Sequence, residues 1–464
     1  MPIRATTGRA WLRSGLPFCL LFLFGCSSQL LAQNDFFSSI DIDIEEPADE
    51  GPLEFLGWVS QKLSYGLEAP GPLFNRSERE INKIETSLFA QLDLELGEQT
   101  AFRLSGKAYH DEVYRWFDET AYGSDEINEF RNRFEFRDFY LESQFDNGLY
   151  VKVGNQMLAW GMAEYLRVTD LVNREDQYTL GQQDLQDQRL QVPALLLSFG
   201  VGDWNFDSAV TVAAKANRLA PVGDEFDPFI ALRQAGATVF REEAGQALEF
   251  FLRASTRLAQ GDLQVVAGEF NDKVFSLRHI DNGDSPSPLL NFSPNRMRAL
   301  GVAANWVEGS WLWFGELGLH RGKAQRPRPE LLLQQAAGWQ EKDQLLGVIG
   351  AEYNGFENLL LTLELDAIHT HGHEQNLQAR QDQLGGGVRL YWTALNERLQ
   401  VLGVWNELLN SAGRVIRVSA DYNWSDNLDI GLLWVDYGTA PDSPFGVYRF
   451  NDVLQLQLRY SFQL

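Results

Sequence analysis

VLQLQLRYSFQL, residues 453–464, decides how this chain is read. In an extended strand Leu454, Leu456, Leu458, Tyr460, Phe462 and Leu464 share one face, and Gln455, Gln457, Arg459, Ser461 and Gln463 share the other. Alternation with a period of two is the signature of a strand with unlike faces. In a soluble sandwich the apolar face would meet a second sheet. In a membrane barrel it would meet lipid while the polar face lines a wet lumen. One strand fits both.

The rest of the chain favours the barrel. From about Leu56 onward, alternating stretches follow one another with two kinds of connection between them. Short turn signals stand at Gly97-Glu98, Asp146-Asn147-Gly148, Gly202-Asp203, Ala244-Gly245, Glu308-Gly309, Asn354-Gly355, Asn396-Glu397 and Ser425-Asp426-Asn427. Several are the Asn-Gly or acid-Gly kind that tight hairpins favour. Long polar connections occupy roughly 68–82, 111–130, 161–193, 215–232, 281–297, 321–343, 368–385 and 438–450. A transmembrane barrel alternates in this way because its periplasmic turns are tight and its extracellular loops are long. Between the turns, Leu88, Ala90, Leu92, Leu94 and Leu96 alternate with Phe89, Gln91, Asp93 and Glu95, and Leu359, Leu361, Leu363 and Leu365 with Leu360, Thr362, Glu364 and Asp366. Trp306, Trp311, Trp313, Trp392, Trp405, Trp424 and Trp434 fall near strand ends, where interfacial girdles sit. The count is twenty strands, or eighteen if one short connection in 258–280 is spurious, and parity must be even.

The N-terminus reads as a targeting segment over residues 1–32, with Arg4, Arg9 and Arg13 ahead of an apolar run from Leu16 to Phe24. A lipobox reading of Leu23-Phe24-Gly25-Cys26, with Cys26 lipidated, competes with an ordinary cleavage site after Leu30-Leu31-Ala32. Residues 33–53 form an acidic periplasmic leader and 54–464 the barrel. Cys19 and Cys26 are the only cysteines, which leaves the barrel without disulfides or thiol metal sites. A net charge of −25 argues against nucleic acid as a partner.

The third long connection carries the candidate site. Leu166, Leu171 and Val172 can pin a short helix starting near Thr169 or Asp170. Glu164, Arg167, Asp170, Arg174, Glu175 and Asp176 would then form a pore constriction, where confined charges select solutes. An inward third loop of this kind resembles that of general porins. The alternative is that these charges pair with one another and pin the loop to the wall.

Gly154-Asn155-Gln156, Trp160-Gly161, the run Arg167 to Asn173, and Asp176 resemble a proteobacterial family of large outer-membrane barrels known only as a domain of unknown function. The match is sharp over about twenty residues; Arg174 stands where members often have proline. The resemblance implies a channel or conduit, with an RND-type exporter and a lipid-carrier protein as partners. The terminal strand likewise resembles the signal read by the outer-membrane assembly machinery, with Tyr460, Phe462 and Leu464 as its carriers, although such signals usually close on an aromatic residue.

His369, His371 and His373, beside Glu374, form an alternate-histidine run that could hold zinc or copper. His320, Arg321, Lys323, Arg326 and Arg328 form a basic patch suited to lipopolysaccharide phosphates. Outer-membrane phospholipases resemble the chain in architecture and use a Ser–His pair, but His110 and His320 lie in no such motif, so no enzyme and no cofactor is expected. The sequence therefore predicts an all-β transmembrane antiparallel barrel in the outer membrane of a Gram-negative bacterium, in contact with its lipid and lipopolysaccharide. It would pass small solutes, with cations or neutral polar solutes favoured. The alternatives are a conduit for hydrophobic cargo and a plugged structural or adhesive barrel.

Overall fold

The terminal strand turns its apolar side outward: Leu454, Leu456, Leu458 and Tyr460 are 41–54% exposed, whereas Gln455 between them is buried at 3%. The same division repeats around a closed sheet of eighteen strands, each antiparallel to its neighbours, in a computed structural model of the chain. The structure describes residues 52–68, 80–115, 128, 131–183, 187–212, 215–244, 248–281, 288–328, 338–438, 440 and 446–464. The signal segment with Cys26, and the acidic leader as far as residue 51, lie outside the described residues.

The barrel strands are β1 (Leu53–Gly66), β2 (Ile81–Gly97), β3 (Thr100–Asp111), β4 (Asn132–Gln144), β5 (Tyr150–Gln156) and β6 (Val192–Val201). They continue as β7 (Trp204–Thr211), β8 (Glu249–Leu258), β9 (Gly261–Asn271), β10 (Arg296–Glu308), β11 (Trp311–Gln325) and β12 (Gln340–Phe356). The last six are β13 (Leu359–Thr370), β14 (Asp382–Ala394), β15 (Leu399–Leu408), β16 (Gly413–Ser425), β17 (Leu428–Asp436) and β18 (Val453–Gln463). β1 pairs with both β2 and β18, so no edge is left open to lipid, which is what a barrel in hydrocarbon requires.

Alternation decides which side chains face out. Leu345, Ile349, Leu363, Leu365 and Leu317 are exposed on the outer face, while Glu316, Glu352, Thr362 and Glu364 on the same strands are buried inside. Trp204, Trp306, Trp311, Trp313, Trp392 and Trp424 are exposed beside the tight turns, and Trp405 and Trp434 near the opposite strand ends, giving two aromatic girdles. Among the described residues no helix is long and apolar enough to cross a membrane; the crossing is made by strands.

The count is eighteen, the lower of the two values that the sequence allows. Thr238–Arg241 and Ser276–Asp281 alternate like barrel strands, but both pair with Leu289–Ser293 in a separate three-stranded sheet. The chain leaves the barrel at Asp272, whose carboxylate accepts the Val274 N–H at 3.2 Å. Gly261 does open a barrel hairpin, paired with Leu258, whereas Asn271-Asp272 and Ala244 do not. The fourth outer connection, 212–248, is consequently longer than the third, 157–191. The eighth is only 409–412, an outer turn the rhythm of long loops does not reveal. Asn354-Gly355 forms a bulge, and the turn follows at Asn358, which takes φ 59°.

Candidate functional site: a lumen with a wall-bound strap

The third connection folds inward as expected, but as an irregular strap rather than a helix. Thr169 and Asp170, the would-be helix caps, are spent on the wall. Glu316 on β11 accepts the Met162 N–H at 2.5 Å and the Ala163 N–H at 2.8 Å through one carboxylate oxygen. Through the other it accepts the Thr169 N–H at 2.9 Å and the Thr169 hydroxyl at 2.8 Å. Glu364 on β13 takes the Glu164 N–H at 2.9 Å and the Tyr165 N–H at 3.3 Å. Arg389 on β14 pairs with the Glu164 carboxylate, and His320 on β11 donates to the Val168 carbonyl at 3.2 Å. Carboxylates that collect several backbone donors are strong anchors, because each bond is charge-assisted.

Glycines make room for this close approach. A Cβ at Gly318 would stand 2.6 Å from Val168 Cγ1, and one at Gly301 2.8 Å from Thr169 Cγ2. The strap also has an apolar side. Leu158, Trp160, Leu171 and Val172 pack against inward-facing Ala194, Leu196, Ala209, Phe251, Val266, Phe270 and Met297 of β6–β10. One sector of the inner wall is thus apolar and covered, and the strap follows the wall from that sector to β14.

The six expected constriction residues are brought into one region, and five of them, all but Arg174, are spent on ion pairs. Asp170 is fully buried and bonded to Arg189 at 2.8 Å, with Arg167 at 3.5 Å. Burial alone would raise the Asp170 carboxyl, but the two guanidiniums outweigh it and hold it below the usual carboxylate range. Arg167 also reaches Glu175 at 2.7 Å, Asp176 is held by Arg218, and Glu164 by Arg389. Arg174 is half-buried in a short strand, Arg174–Gln177, that pairs with Arg189–Leu190 and with Arg218–Leu219. The loop-pinning alternative describes this geometry better than a free charged ring.

Below the strap the lumen wall carries matched charges: Arg103 with Asp93 at 2.6 Å, Lys152 with Glu142 at 3.5 Å, and Arg253 with Asp207 at 2.7 Å. Above it, the fourth connection reaches across the mouth. Its Ala220 and Phe226 pack with Leu433, Val435, Tyr437, Tyr448 and Val453 of the β17–β18 side. Asp224 fastens this lid, accepting the Phe226 N–H at 2.8 Å and the Tyr114 hydroxyl at 3.3 Å.

Burial and the neighbouring Glu225 push the Asp224 carboxyl up to about 7, against the opposing pull of the Phe226 N–H, Lys83 and Tyr114. A carboxyl raised in the folded state favours the protonated fold, so its contribution is complete in acid and is lost as pH rises through about 7. Proteolysis of the fourth connection is therefore expected to quicken from about pH 4, near the ordinary aspartate value, up to about pH 7 and to level off above it. Asp224→Asn should flatten this dependence; an unchanged profile in that variant would remove the latch from Asp224.

A family model described as a protein of unknown function (DUF1302) matches residues 74–462. The chain belongs to that family. No curated protein matches it. The barrel is similar to OccAB4 of Acinetobacter baumannii, at 8% identity and TM-score 0.50, over 90% of this chain and 100% of that one. It is also similar to the outer membrane protein OpdK of Pseudomonas aeruginosa, at 10% identity and TM-score 0.48, over 89% and 99%. OmpF of Salmonella typhi, solved with daunomycin, aligns at 9% identity and TM-score 0.41, over 88% and 97%. At these identities the likeness shows the porin-like outer-membrane barrel fold alone.

Other candidates in this DUF1302 barrel are dispersed. The rings of His369 and His371 meet at 4.8 Å, but His369 bonds Asp382 at 2.7 Å and His373 turns to the Ala379 carbonyl at 2.8 Å. Among the described residues no group of three ligands stands ready for a metal. The basic patch separates as well. Lys323 bonds Asp272 at 2.9 Å, Arg326 stacks near Phe229 and Phe292, Arg328 reaches the Leu377 carbonyl at 3.3 Å, and Arg321 stays exposed on the outer face. His110 bonds Asn132 at 2.8 Å and Glu112 at 2.9 Å. Sequence reading passed over Glu316, Arg389 and Asp224; the first two carry a visible signal, a charge at mid-strand on the polar face.

Proposed function

We propose that this barrel is a narrow channel of the Gram-negative outer membrane, passing small polar solutes down their gradients. The observation that carries the reading is the fastening of the strap's first limb, Met162 to Thr169, to Glu316 and Glu364 on the wall, above a wall lined with polar and charged side chains. The second limb is tied to Arg417 and Tyr437 on the other side. Because Arg103, Lys152 and Arg253 match three of the wall acids, ionic selectivity should be weaker than the net charge of −25 suggests, with inward acids such as Glu352 and Asp366 left to favour cations. The test is single-channel recording of refolded protein in planar bilayers. Small ohmic steps with a reversal potential only slightly cation-shifted are expected. Silence from protein shown to be folded by its heat-modifiable gel mobility would overturn the channel and favour a barrel plugged by its lid.

A second reading draws on the apolar inner sector under the strap, with Leu196, Phe251, Val266, Phe270 and Met297. A conduit for hydrophobic cargo, served by an RND-type exporter and a lipid carrier, would use such a sector. Release of a lipophilic dye from vesicles containing the barrel, without matching ion flux, would favour it.

A further inference from the structure

We infer that Arg298 and Arg321, side by side on the lipid face of β10 and β11, hold a phosphate of an outer-leaflet lipid, the lipid A part of lipopolysaccharide. The site rests on the outer-membrane location and stands whether or not the barrel conducts.

On the outer face these two strands form a ladder of directly opposed residues. Trp306 opposes Trp313 beside the tight turn, Val302 opposes Leu317, Leu300 opposes Leu319, and Arg298 opposes Arg321. The tryptophan rung marks one edge of the apolar band. From Trp306 to Arg298 is a step of eight residues. At about 3.4 Å per residue and a tilt of roughly 40°, that step raises the arginines by about 21 Å. They therefore stand close to the far edge of a band about 25 Å tall, at the headgroups of the outer leaflet. An arginine on the lipid face is costly at mid-membrane and tolerated at this level.

The rung itself calls for an anion. Like charges directly opposite each other in a sheet are destabilising. Here two guanidiniums face each other, and the acids near them stand to either side. Glu269 lies beyond Arg298, on β9, and bonds it at 2.9 Å. It also serves Arg296 at 3.5 Å, so one carboxylate is divided between two arginines and the Arg298 side chain remains 73% exposed. Asp343 lies beyond Arg321, where the β11–β12 register shifts, and accepts the Gly322 N–H at 3.1 Å. Glu341 is farther along β12, opposite Ala324. Among the described residues Arg321 forms an ion pair with none of them.

A phosphate between Arg298 and Arg321 turns a repelling rung into two charge-assisted contacts, and the guanidinium fork matches phosphate oxygens. The rungs beneath suit what a lipid phosphate carries. Leu300 and Leu317 are 56% and 52% exposed, and with Leu319 and Val302 they offer acyl chains an apolar track. Charge above and an apolar track below fit a phosphorylated lipid standing upright, whereas free phosphate would use the upper half alone. Sequence reading placed Arg321 in a basic set whose other members turn elsewhere; Arg298, its partner here, was not in that set.

The probes are lipid A carrying both phosphates, the same lipid after phosphatase treatment, and inorganic phosphate. Native mass spectrometry of the folded, detergent-solubilised barrel is expected to show one lipid A held per barrel, with the other two probes at least about tenfold weaker. Arg298→Ala combined with Arg321→Ala should weaken lipid A binding by about tenfold or more. Arg298→Lys with Arg321→Lys should fall between, because lysine keeps the charge and loses the fork. Arg398→Ala should bind as the wild type does, since Arg398 bonds the Asn423 and Trp424 carbonyls at the opposite rim. Heat-modifiable mobility checks that each variant is folded, and the comparison of probes needs no variant. Absence of bound lipid A, equal binding of the dephosphorylated lipid, or undiminished binding in the folded double alanine variant would each overturn the site. Inorganic phosphate binding as tightly as lipid A would overturn the lipid as its occupant.

Discussion

Glu316→Ala is expected to raise single-channel conductance several-fold and to make it noisy. The wall carboxylate receives three backbone N–H groups and one hydroxyl from the strap, at 2.5–2.9 Å. Hydrogen bonds to a charged acceptor contribute roughly 1.5–3 kcal/mol each, and donors left buried without a partner cost about as much again. These terms are not additive, since the four donors move as one segment. Even a loss of about 4 kcal/mol exceeds the free energy that keeps many loops closed, which spans from near zero upward. The barrel itself should survive, because its ladder of backbone bonds does not pass through this side chain.

Glu316→Gln separates anchoring from bulk. The amide keeps size and one accepting oxygen, so it can hold either the Met162–Ala163 limb or Thr169, but not both. Conductance should therefore rank wild type, then Gln, then Ala. Gly318→Val attacks the same contact from the other side, since even its Cβ would stand 2.6 Å from Val168 Cγ1. Equal conductance in all four proteins would mean that the strap does not set the size of the passage. Because Glu316 lies on β11 and far in sequence from the strap, no reading of the third connection alone would have chosen it.

That gap marks what the sequence discloses. The strands were legible because lipid and lumen impose opposite demands on successive residues, and Leu454 to Leu464 shows the demand undiluted. The inward third connection was expected from its resemblance to the third loop of general porins, and its apolar residues Leu171 and Val172 do pack on the wall. Periodicity could not choose between twenty strands and eighteen, because short strands such as Thr238–Arg241 and Ser276–Asp281 exist but join a separate sheet, and which sheet a strand joins depends on partners that periodicity does not name. The helix near Thr169 failed for a similar reason. A cap residue offers one hydrogen-bonding side chain, and here Glu316 and Arg189 claim those of Thr169 and Asp170 first. Five of the charges read as a constriction are paired, and the pairing was not legible in that stretch alone because two of the partners, Arg218 and Arg389, lie outside the third connection.

Phe462→Ala should lower the amount of assembled barrel in cells about tenfold while leaving refolding in detergent nearly intact. The seam it serves is long: β18 pairs with β1 from Leu56 opposite Gln463 to Gly66 opposite Val453. Beyond it, Leu464 N–H bonds the Phe55 carbonyl at 2.8 Å, and the Phe55 N–H bonds the Leu464 carbonyl at 3.2 Å. The Phe462 ring lies over Gly57, where a Cβ would come within 2.8 Å of it, and sits 6.1 Å from the Phe55 ring. This ring is on the lipid side, so cutting it to a methyl group opens no cavity and exchanges ring contacts for lipid contacts. The cost to the finished barrel should be well below the roughly 3–5 kcal/mol of a buried phenylalanine. Assembly in the cell is different, because there the terminal strand must be selected before the seam exists, and an open edge in hydrocarbon leaves each unpaired backbone group several kcal/mol worse off. Heat-modifiable mobility in isolated outer membranes, set beside the same assay after refolding, distinguishes the two effects. If Phe462→Ala fails equally in both, the ring acts through seam packing; if it fails in neither, Phe462 carries no assembly signal and the alternation of β18 is sufficient.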